Sequence, residues 1–150
     1  QWQQMMKSLE RVAKEEGIPL VKLDFITNSK DALLLSEAAK SYGADTFYQL
    51  HEKLFHAYFV DSKNIADRQL LKELALSCAI EENIIDSAWD DEKHQQRLLQ
   101  NLNSARQYNV QSVPSFVFGD KVLTGVVSEA DFRKAADELL SSNQGIKSTP

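Results

Sequence analysis

Three histidines and one cysteine are the residues of this sequence whose side chains are best suited to bind a metal or attack a substrate. His51 and His56 are the first and last residues of the segment HEKLFH. Its histidines are five positions apart, whereas those of the zinc-protease pattern HExxH are four apart. At about 100° per helical residue, that spacing turns the two rings roughly 140° apart. His94 follows the acidic residues 90–92, which is typical of a solvated helix start. We therefore expect no metal site and no cofactor.

Cys78 is the single cysteine, so it cannot form a disulfide within this sequence. A reactive thiolate is favoured by a helix N-terminus, a nearby cation and access to solvent. Cys78 instead falls in the last part of a predicted helix, one turn after Leu74, so we interpret it as a buried structural residue. The sequence has no Cys-x-x-Cys, no glycine-rich phosphate loop and no serine nucleophile elbow. We expect no catalytic residue within these residues.

The dipeptide Val113-Pro114 comes directly before a predicted strand. Only X-Pro peptide bonds have an appreciable cis fraction, about 5–6% in folded proteins. Spacing alone therefore favours an ordinary trans proline that begins an edge strand.

The elements that must position these residues are mostly helices. The first helix ends near Glu16, where Gly17 and Pro19 stop it. The further helices predicted from apolar spacing and capping residues are one capped by Asn28 or Ser29 and ending at Gly43, one capped by Asp45, one beginning at Asp67, a short one over 84–89 and a long one over 92–107 that ends at Asn109.

Two of these helices carry apolar stripes that we expect to be buried. The third helix has a wide stripe of Phe47, Leu50, Leu54, Phe55, Tyr58 and Phe59. The long helix is expected to direct Leu98, Leu102 and Ala105 inward.

The period changes from helical to strand-like after residue 114. Ser115–Phe118 and Lys121–Val127 flank Gly119-Asp120, which predicts an antiparallel hairpin. Ser128 and Asp131 resemble a capping box that opens a final helix, and residues 141–150 are expected to form a polar tail. A lone hairpin is marginally stable in water, so we expect further strands from elsewhere.

Composition limits the class of protein. The 150 residues include 17 basic and 22 acidic side chains, a net charge of −5, and 43% hydrophobic residues, as in an ordinary globular domain. The chain has no apolar run long enough to span a membrane and no basic cluster for nucleic acid. With one cysteine and no secretory signal pattern, we expect a reduced, cytoplasmic protein. The sequence begins within a helical pattern at Gln1, so we expect it to be the C-terminal portion of a longer polypeptide.

The segment NVQSVPSFVF over residues 109–118, followed by Thr124-Gly125 and the closing helix, resembles the cis-proline half of the DsbA-like thioredoxin family. Upstream, the segments 57–59, 62–67 and 70–74 resemble the helical insertion of its FrnE-type cytosolic branch. The resemblance covers roughly Gln4 to Leu140. The family usually has glycine where Asn109 and Ser112 stand.

The resemblance implies an α/β, thioredoxin-like fold with a helical insertion. The chain as given would be mostly helical, with a C-terminal β-hairpin and helix, and would lack the first βαβ unit. It divides into a helical insertion domain with its leading segment over 1–107, the C-terminal half of the thioredoxin-like domain over 108–140, and the tail over 141–150.

The resemblance also implies thiol-disulfide exchange by an oxidoreductase or disulfide isomerase. The backbone of Val113 would pair with an extended substrate, Pro114 would be the cis-proline, and Ser112 would lie beside them. The catalytic dithiol is expected in the missing N-terminal segment, so this chain alone should be inactive. Expected partners are protein or small thiol and disulfide substrates, without nucleic acid or membrane, and a homodimer is allowed.

Two alternatives stay open. One is a glutathione-using relative of the kappa-class transferase or chromene-carboxylate isomerase type, in which serine replaces the first catalytic cysteine. The other is a non-catalytic binding module in which the aromatic residues Phe47, Phe55, Tyr58 and Phe59 line an apolar groove.

Overall fold

The computed structural model describes residues 2–21 and 23–145, which are mostly helical. The elements in chain order are α1 (Trp2–Glu15), α2 (Lys30–Ala39), a 3-10 turn (Lys40–Tyr42), α3 (Ala44–Phe59), α4 (Arg68–Leu76), α5 (Glu82–Ala88), α6 (Glu92–Gln107), β1 (Ser115–Phe118), β2 (Lys121–Thr124) and α7 (Glu129–Gly145). They form two compact units, Gln1–Leu98 and Leu99–Pro150, and the division falls within α6. Among the described residues, no helix has both the length and the apolar character needed to cross a membrane.

Helix ends in the first unit follow local chemistry. Gly17, with φ +68, follows α1 as predicted, because glycine adopts the left-handed region without a steric penalty. The Asp67 carboxylate accepts a hydrogen bond from the backbone N–H of Gln69 at 2.9 Å, which caps α4. The Asn28 side chain accepts from the N–H of Lys30 at 3.0 Å, whereas Ser29 makes no side-chain cap.

The predicted cap at Asp45 is wrong. Gly43, with φ +99, occupies the N-cap position of α3, and Asp45 lies in its first turn. An acidic residue there is still favourable because the N-terminal end of the helix dipole is positive.

The core of the first unit is built around α2, which packs against α3, α4 and α5. Its largest fully buried side chains are Leu34, Leu35, Leu50, Leu71, Ile80 and Ile85. Burial of apolar side chains of this size stabilises a fold by roughly 1.5–3 kcal/mol each, so these residues dominate its stability.

A polar junction joins α2, α4 and α5 at the edge of this core. The Nε atom of Arg68 donates to Oδ2 of Asp31 at 2.7 Å, and this hydrogen bond raises the pKa of Arg68. The guanidinium carbon also lies 4.8 Å from the ring centroid of Trp89. The indole Nε1 of Trp89 donates to the backbone oxygen of Asp31 at 3.2 Å. One guanidinium and one indole therefore fasten the ends of three helices.

The predicted burial of the whole α3 stripe is wrong at Phe55. Leu50 and Leu54 are buried, but Phe55 is 55% exposed. Phe55 points about 100° away from Leu54, and no neighbouring element among the described residues covers that side of α3 the way Leu50 and Leu54 are covered. Phe55 instead contacts rings on its own helix, with centroids 5.4 Å from His51 and 5.8 Å from Phe59.

In the second unit, β1 and β2 pair antiparallel with Ser115 opposite Thr124 and Phe118 opposite Lys121. The two-residue turn predicted at Gly119-Asp120 is confirmed, and Gly119 has φ +58. The rings of Phe116 and Phe118 pack edge-to-face on Phe132 of α7 at 5.2 and 5.0 Å. Packing on a helix is what a two-stranded hairpin needs for stability.

An ion pair also joins β2 to α7. Lys121 Nζ lies 2.7 Å from Oε2 of Glu138, and this hydrogen bond lowers the pKa of the Glu138 carboxyl. Both groups are exposed to solvent, so the pair supplements the aromatic packing.

Two element boundaries and one predicted burial in the second half of the chain differ from the predictions. β2 ends at Thr124 instead of Val127, because Gly125, with φ +84, leaves the extended conformation. Leu102 was predicted to face inward but is exposed. No side chain of α6 among the described residues is fully buried. α7 continues to Gly145 through the predicted tail, and the Ser141 hydroxyl donates to the backbone oxygen of Asp137 within it. Residues 146–150 of that tail lie outside the described residues.

We expect Leu35→Ala to lower the free energy of unfolding by about 2–5 kcal/mol, because it leaves a cavity at a side chain with no exposed surface. The measurement is urea denaturation followed by circular dichroism. Leu33→Ala is the matched control, since it makes the same change in α2 at a side chain that is 40% exposed, and it should cost less than about 1 kcal/mol. Equal losses for the two variants would contradict this core.

Candidate functional site

The candidate site is the segment over residues 109–115, the proline loop, which leads from α6 into β1 and includes the first residue of that strand. It begins where α6 ends in two hydrogen bonds: the N–H of Asn109 donates to Arg106 at 2.9 Å, and the N–H of Val110 donates to Ala105 at 2.9 Å. Asn109 has φ +55, as predicted for a residue that ends this helix. This is the Schellman arrangement, with asparagine in the position that glycine usually occupies. It fixes the direction in which the chain leaves α6.

Two hydrogen bonds hold the centre of the proline loop. The backbone N–H of Gly125 donates to the carbonyl of Pro114 at 2.8 Å. The Ser115 hydroxyl donates to the carbonyl of Ser112 at 2.6 Å. The Val113–Pro114 peptide bond between these ties is cis. Ser112, Val113 and Pro114, the three site residues predicted from the sequence, therefore share one turn.

Val113 presents its backbone to solvent beside this proline. Its N–H and its carbonyl have no hydrogen-bond partner among the described residues. Pro114 has no N–H, and its carbonyl already binds Gly125. The peptide groups of Val113 are thus among the polar groups of the loop that have no partner within the described residues.

A second exposed apolar residue follows the end of the hairpin ladder. The last strand pair is Ser115 opposite Thr124, and the hydrogen bond from Gly125 to Pro114 adds one pair beyond it. Val113 and Val126 are the next residues along the chain on either side of that last pair. Val113 is 88% exposed and Val126 is 80% exposed, the two highest values for large apolar side chains among the described residues. An exposed apolar pair beside open backbone groups is suited to bind another chain.

The loop is electrically neutral. Residues 110–115 and 122–128 contain no charged side chain, although the whole chain has a net charge of −5. The loop therefore offers backbone hydrogen-bonding groups and apolar surface, whose interactions depend little on salt.

The other sequence-based candidates lie elsewhere. Cys78 is buried and lies two residues beyond the end of α4, so its predicted place inside that helix is wrong. The ring of His51 lies between Phe47 and Phe55, whereas His56 faces Asp61 at 3.5 Å. His94 Nδ1 lies 3.3 Å from the carbonyl of Ala88. Within residues 2–21 and 23–145, no three His, Cys, Asp or Glu side chains are close enough to hold a metal ion.

The chain is similar to known proteins in sequence and in structure. The model of the DSBA-like thioredoxin domain matches residues 1–137. This chain belongs to that family. Its fold is accordingly a DsbA-like thioredoxin fold, mostly helical with a C-terminal two-stranded hairpin and helix.

Two relatives of this DsbA-like chain are informative. "Crystal structure of a putative protein disulfide isomerase from Nitrosomonas europaea" is similar with a TM-score of 0.73 and 18% identity, covering 93% of this chain and 73% of that one. "Uncharacterized protein YwbO" of Bacillus subtilis (strain 168) is 28% identical over 101 residues, which are 67% of this chain and 50% of that protein. The DsbA-like chain therefore spans about half the length of this curated relative.

Sequence reasoning missed Ser115, Gly125 and Val126 as parts of this site. The signal was present for Gly125, because a two-residue turn at Gly119-Asp120 sets the register that places it opposite Pro114, whereas Val126 lies beyond that last pair. The Ser115 hydroxyl bond had no such signal, since its acceptor depends on how the loop turns.

We expect the amide of Gly125 to exchange with solvent deuterium at least about tenfold more slowly than the amide of Val113, because only Gly125 has an intramolecular acceptor. The measurement is hydrogen exchange by NMR at a pH where both peptides are in the same kinetic regime. Protection of Val113 equal to that of Gly125 would show that its N–H has a partner within the chain.

Proposed function

We propose that this chain supplies the substrate-docking part of a thiol-disulfide oxidoreductase or disulfide isomerase of the DsbA family. The observation that carries the proposal is Val113, whose side chain is 88% exposed and whose backbone N–H and carbonyl have no partner among the described residues. An extended substrate segment aligns with Val113 and exchanges backbone hydrogen bonds with it, as in strand addition at an open edge. The exposed side chains of Val113 and Val126 contact the neighbouring substrate residues.

The chemistry served by this docking site is thiol-disulfide exchange. A thiolate attacks one sulfur of a substrate disulfide and the other sulfur leaves as a thiolate, so a mixed disulfide forms. A second thiol then displaces the substrate, which is reduced as the dithiol is oxidised to a disulfide. Cys78 is the single cysteine of this sequence and is buried, so the proposal assigns the dithiol to residues outside these 150.

The proposal also includes a branch of the family and a cellular location. The FrnE-type branch is supported by the resemblance of residues 57–74 to its helical insertion, which would make residues 1–107 that insertion with its leading segment. A cytoplasmic location is supported by the single, buried cysteine, since disulfide-stabilised proteins are typical of oxidising compartments.

One observation favours the second candidate, a non-catalytic binding module. Phe55 is exposed in an aromatic row along α3, with ring centroids 4.9 Å apart between Phe47 and His51 and 5.4 Å apart between His51 and Phe55. This row belongs to the first unit and the proline loop to the second, so substitutions can be made in one without changing the residues of the other. The experiment below therefore changes the loop and leaves α3 intact.

We expect Val113→Glu and Val126→Glu each to weaken binding of an unfolded polypeptide by about tenfold or more, because a carboxylate replaces an apolar contact beside backbone groups that must lose water. The probe is reduced insulin B chain with its thiols blocked by iodoacetamide, and the measurement is fluorescence anisotropy of a labelled peptide. Blocked thiols restrict the assay to docking, which this chain can perform without a dithiol.

Ile26→Glu is the matched control, since it places the same charge at an exposed apolar residue in the other unit. Its affinity should stay within about twofold of the wild-type value. Unchanged affinity in the Val113 and Val126 variants would contradict the docking site, and an affinity lost equally in all three variants would point to net charge instead.

A further inference from the structure

We propose that Ser115 is a positioning residue that holds the peptide groups of Val113 in place for the substrate, a role that rests on the function proposed above. Its hydroxyl lies 2.6 Å from the carbonyl oxygen of Ser112, three residues earlier in the chain. The hydrogen bond closes a four-residue turn with Val113 and Pro114 at its centre. Ser115 is half-buried and is the first residue of β1, so its backbone is part of the hairpin.

The closing group is a side chain where a β-turn ordinarily uses the backbone. In a common turn, the N–H of the fourth residue donates to the carbonyl of the first. Gly125 bonds to Pro114, so the next position along the ladder, Ser115 opposite Thr124, is a pair that exchanges no hydrogen bonds between the strands. The N–H of Ser115 therefore points to the outer edge of β1. Because the hydroxyl of Ser115 closes the turn, the N–H of Ser115 remains without a partner among the described residues at this edge.

Two ties flank Val113, one on each side. Pro114 is held through its carbonyl by Gly125, and Ser112 is held through its carbonyl by Ser115. Val113 itself has no hydrogen bond to the described residues. Loss of the Ser115 hydroxyl would leave Val113 fixed from one side only, so its peptide groups would have to be ordered when the substrate binds.

The same hydrogen bond also sets the direction of the Val113 N–H. The carbonyl of Ser112 and the N–H of Val113 are the two polar groups of one trans peptide, so they point in opposite directions. Because the Ser115 hydroxyl holds that carbonyl at 2.6 Å, the Val113 N–H is held on the other side of the peptide. The substrate therefore meets this N–H in a fixed orientation.

The test compares Ser115→Val with Ser115→Thr. Threonine keeps the hydroxyl and valine replaces it by a methyl group, while both have the same shape and a similar preference for strands. The measured quantity is the dissociation constant of the blocked insulin B chain. We expect valine to weaken binding by about three- to tenfold, because the peptide group that carries the Val113 N–H is no longer held and must be ordered when the substrate binds. Threonine should bind within about twofold of wild type.

A second measurement separates positioning from general stability. The carbonyl ¹³C shift of Ser112 and the amide shift of Val113 should move in Ser115→Val and in Ser115→Ala and stay near wild type in Ser115→Thr. Shifts that move together with affinity support the positioning role. Equal affinity of the valine and threonine variants would overturn it, as would a fall in thermal stability with no change at Ser112 and Val113.

The outcomes also distinguish this proposal from the one on which it rests. If Val113→Glu loses binding and Ser115→Val does not, the docking site stands and the role of Ser115 is wrong. If Val113→Glu binds as well as wild type, the docking site itself is wrong, and the role of Ser115 falls with it.

Discussion

The hydrogen bond from the Gly125 N–H to the Pro114 carbonyl is the constraint on which the candidate site depends. Proline has no N–H, so its carbonyl is the one group through which this residue can join the ladder between β1 and β2. That bond is the last rung of the hairpin. Beyond it the ladder stops, and the backbone of Val113 is left open beside a fixed neighbour. Pro114 therefore both anchors the loop and ends the pairing between β1 and β2.

The rest of the second unit supports this rung. The rings of Phe116, Phe118 and Phe132 hold the hairpin on α7, and Lys121 with Glu138 adds an exposed ion pair. On the other side, the hydrogen bonds at Asn109 and Val110 end α6 and aim the chain at the proline. An uncharged, apolar loop within an acidic protein results, which fits a docking site for polypeptides of varied sequence, because backbone pairing needs no particular side chain.

Much of this architecture could be predicted from the sequence, because it depends on local rules. The bounds of α6, the two-residue turn at Gly119 and the left-handed Asn109 follow from periodicity and turn chemistry. The failures were at features that depend on tertiary context. Phe55 was expected in the core and is exposed, because apolar spacing shows a face but not how much of it a neighbouring element covers. Val126 was missed because its exposure, two residues beyond the end of β2, is a property of the folded chain.

The central claim is that an extended polypeptide docks on the proline loop. The most direct test is to map where it binds, by recording ¹H–¹⁵N correlation spectra of the labelled chain as unlabelled, thiol-blocked insulin B chain is added. The account predicts the largest shifts at the amides of Ser112, Val113, Ser115 and Val126, with small changes on α3. Shifts concentrated at Phe47, Phe55 and Phe59, with the proline loop unchanged, would contradict it and favour the binding-module alternative.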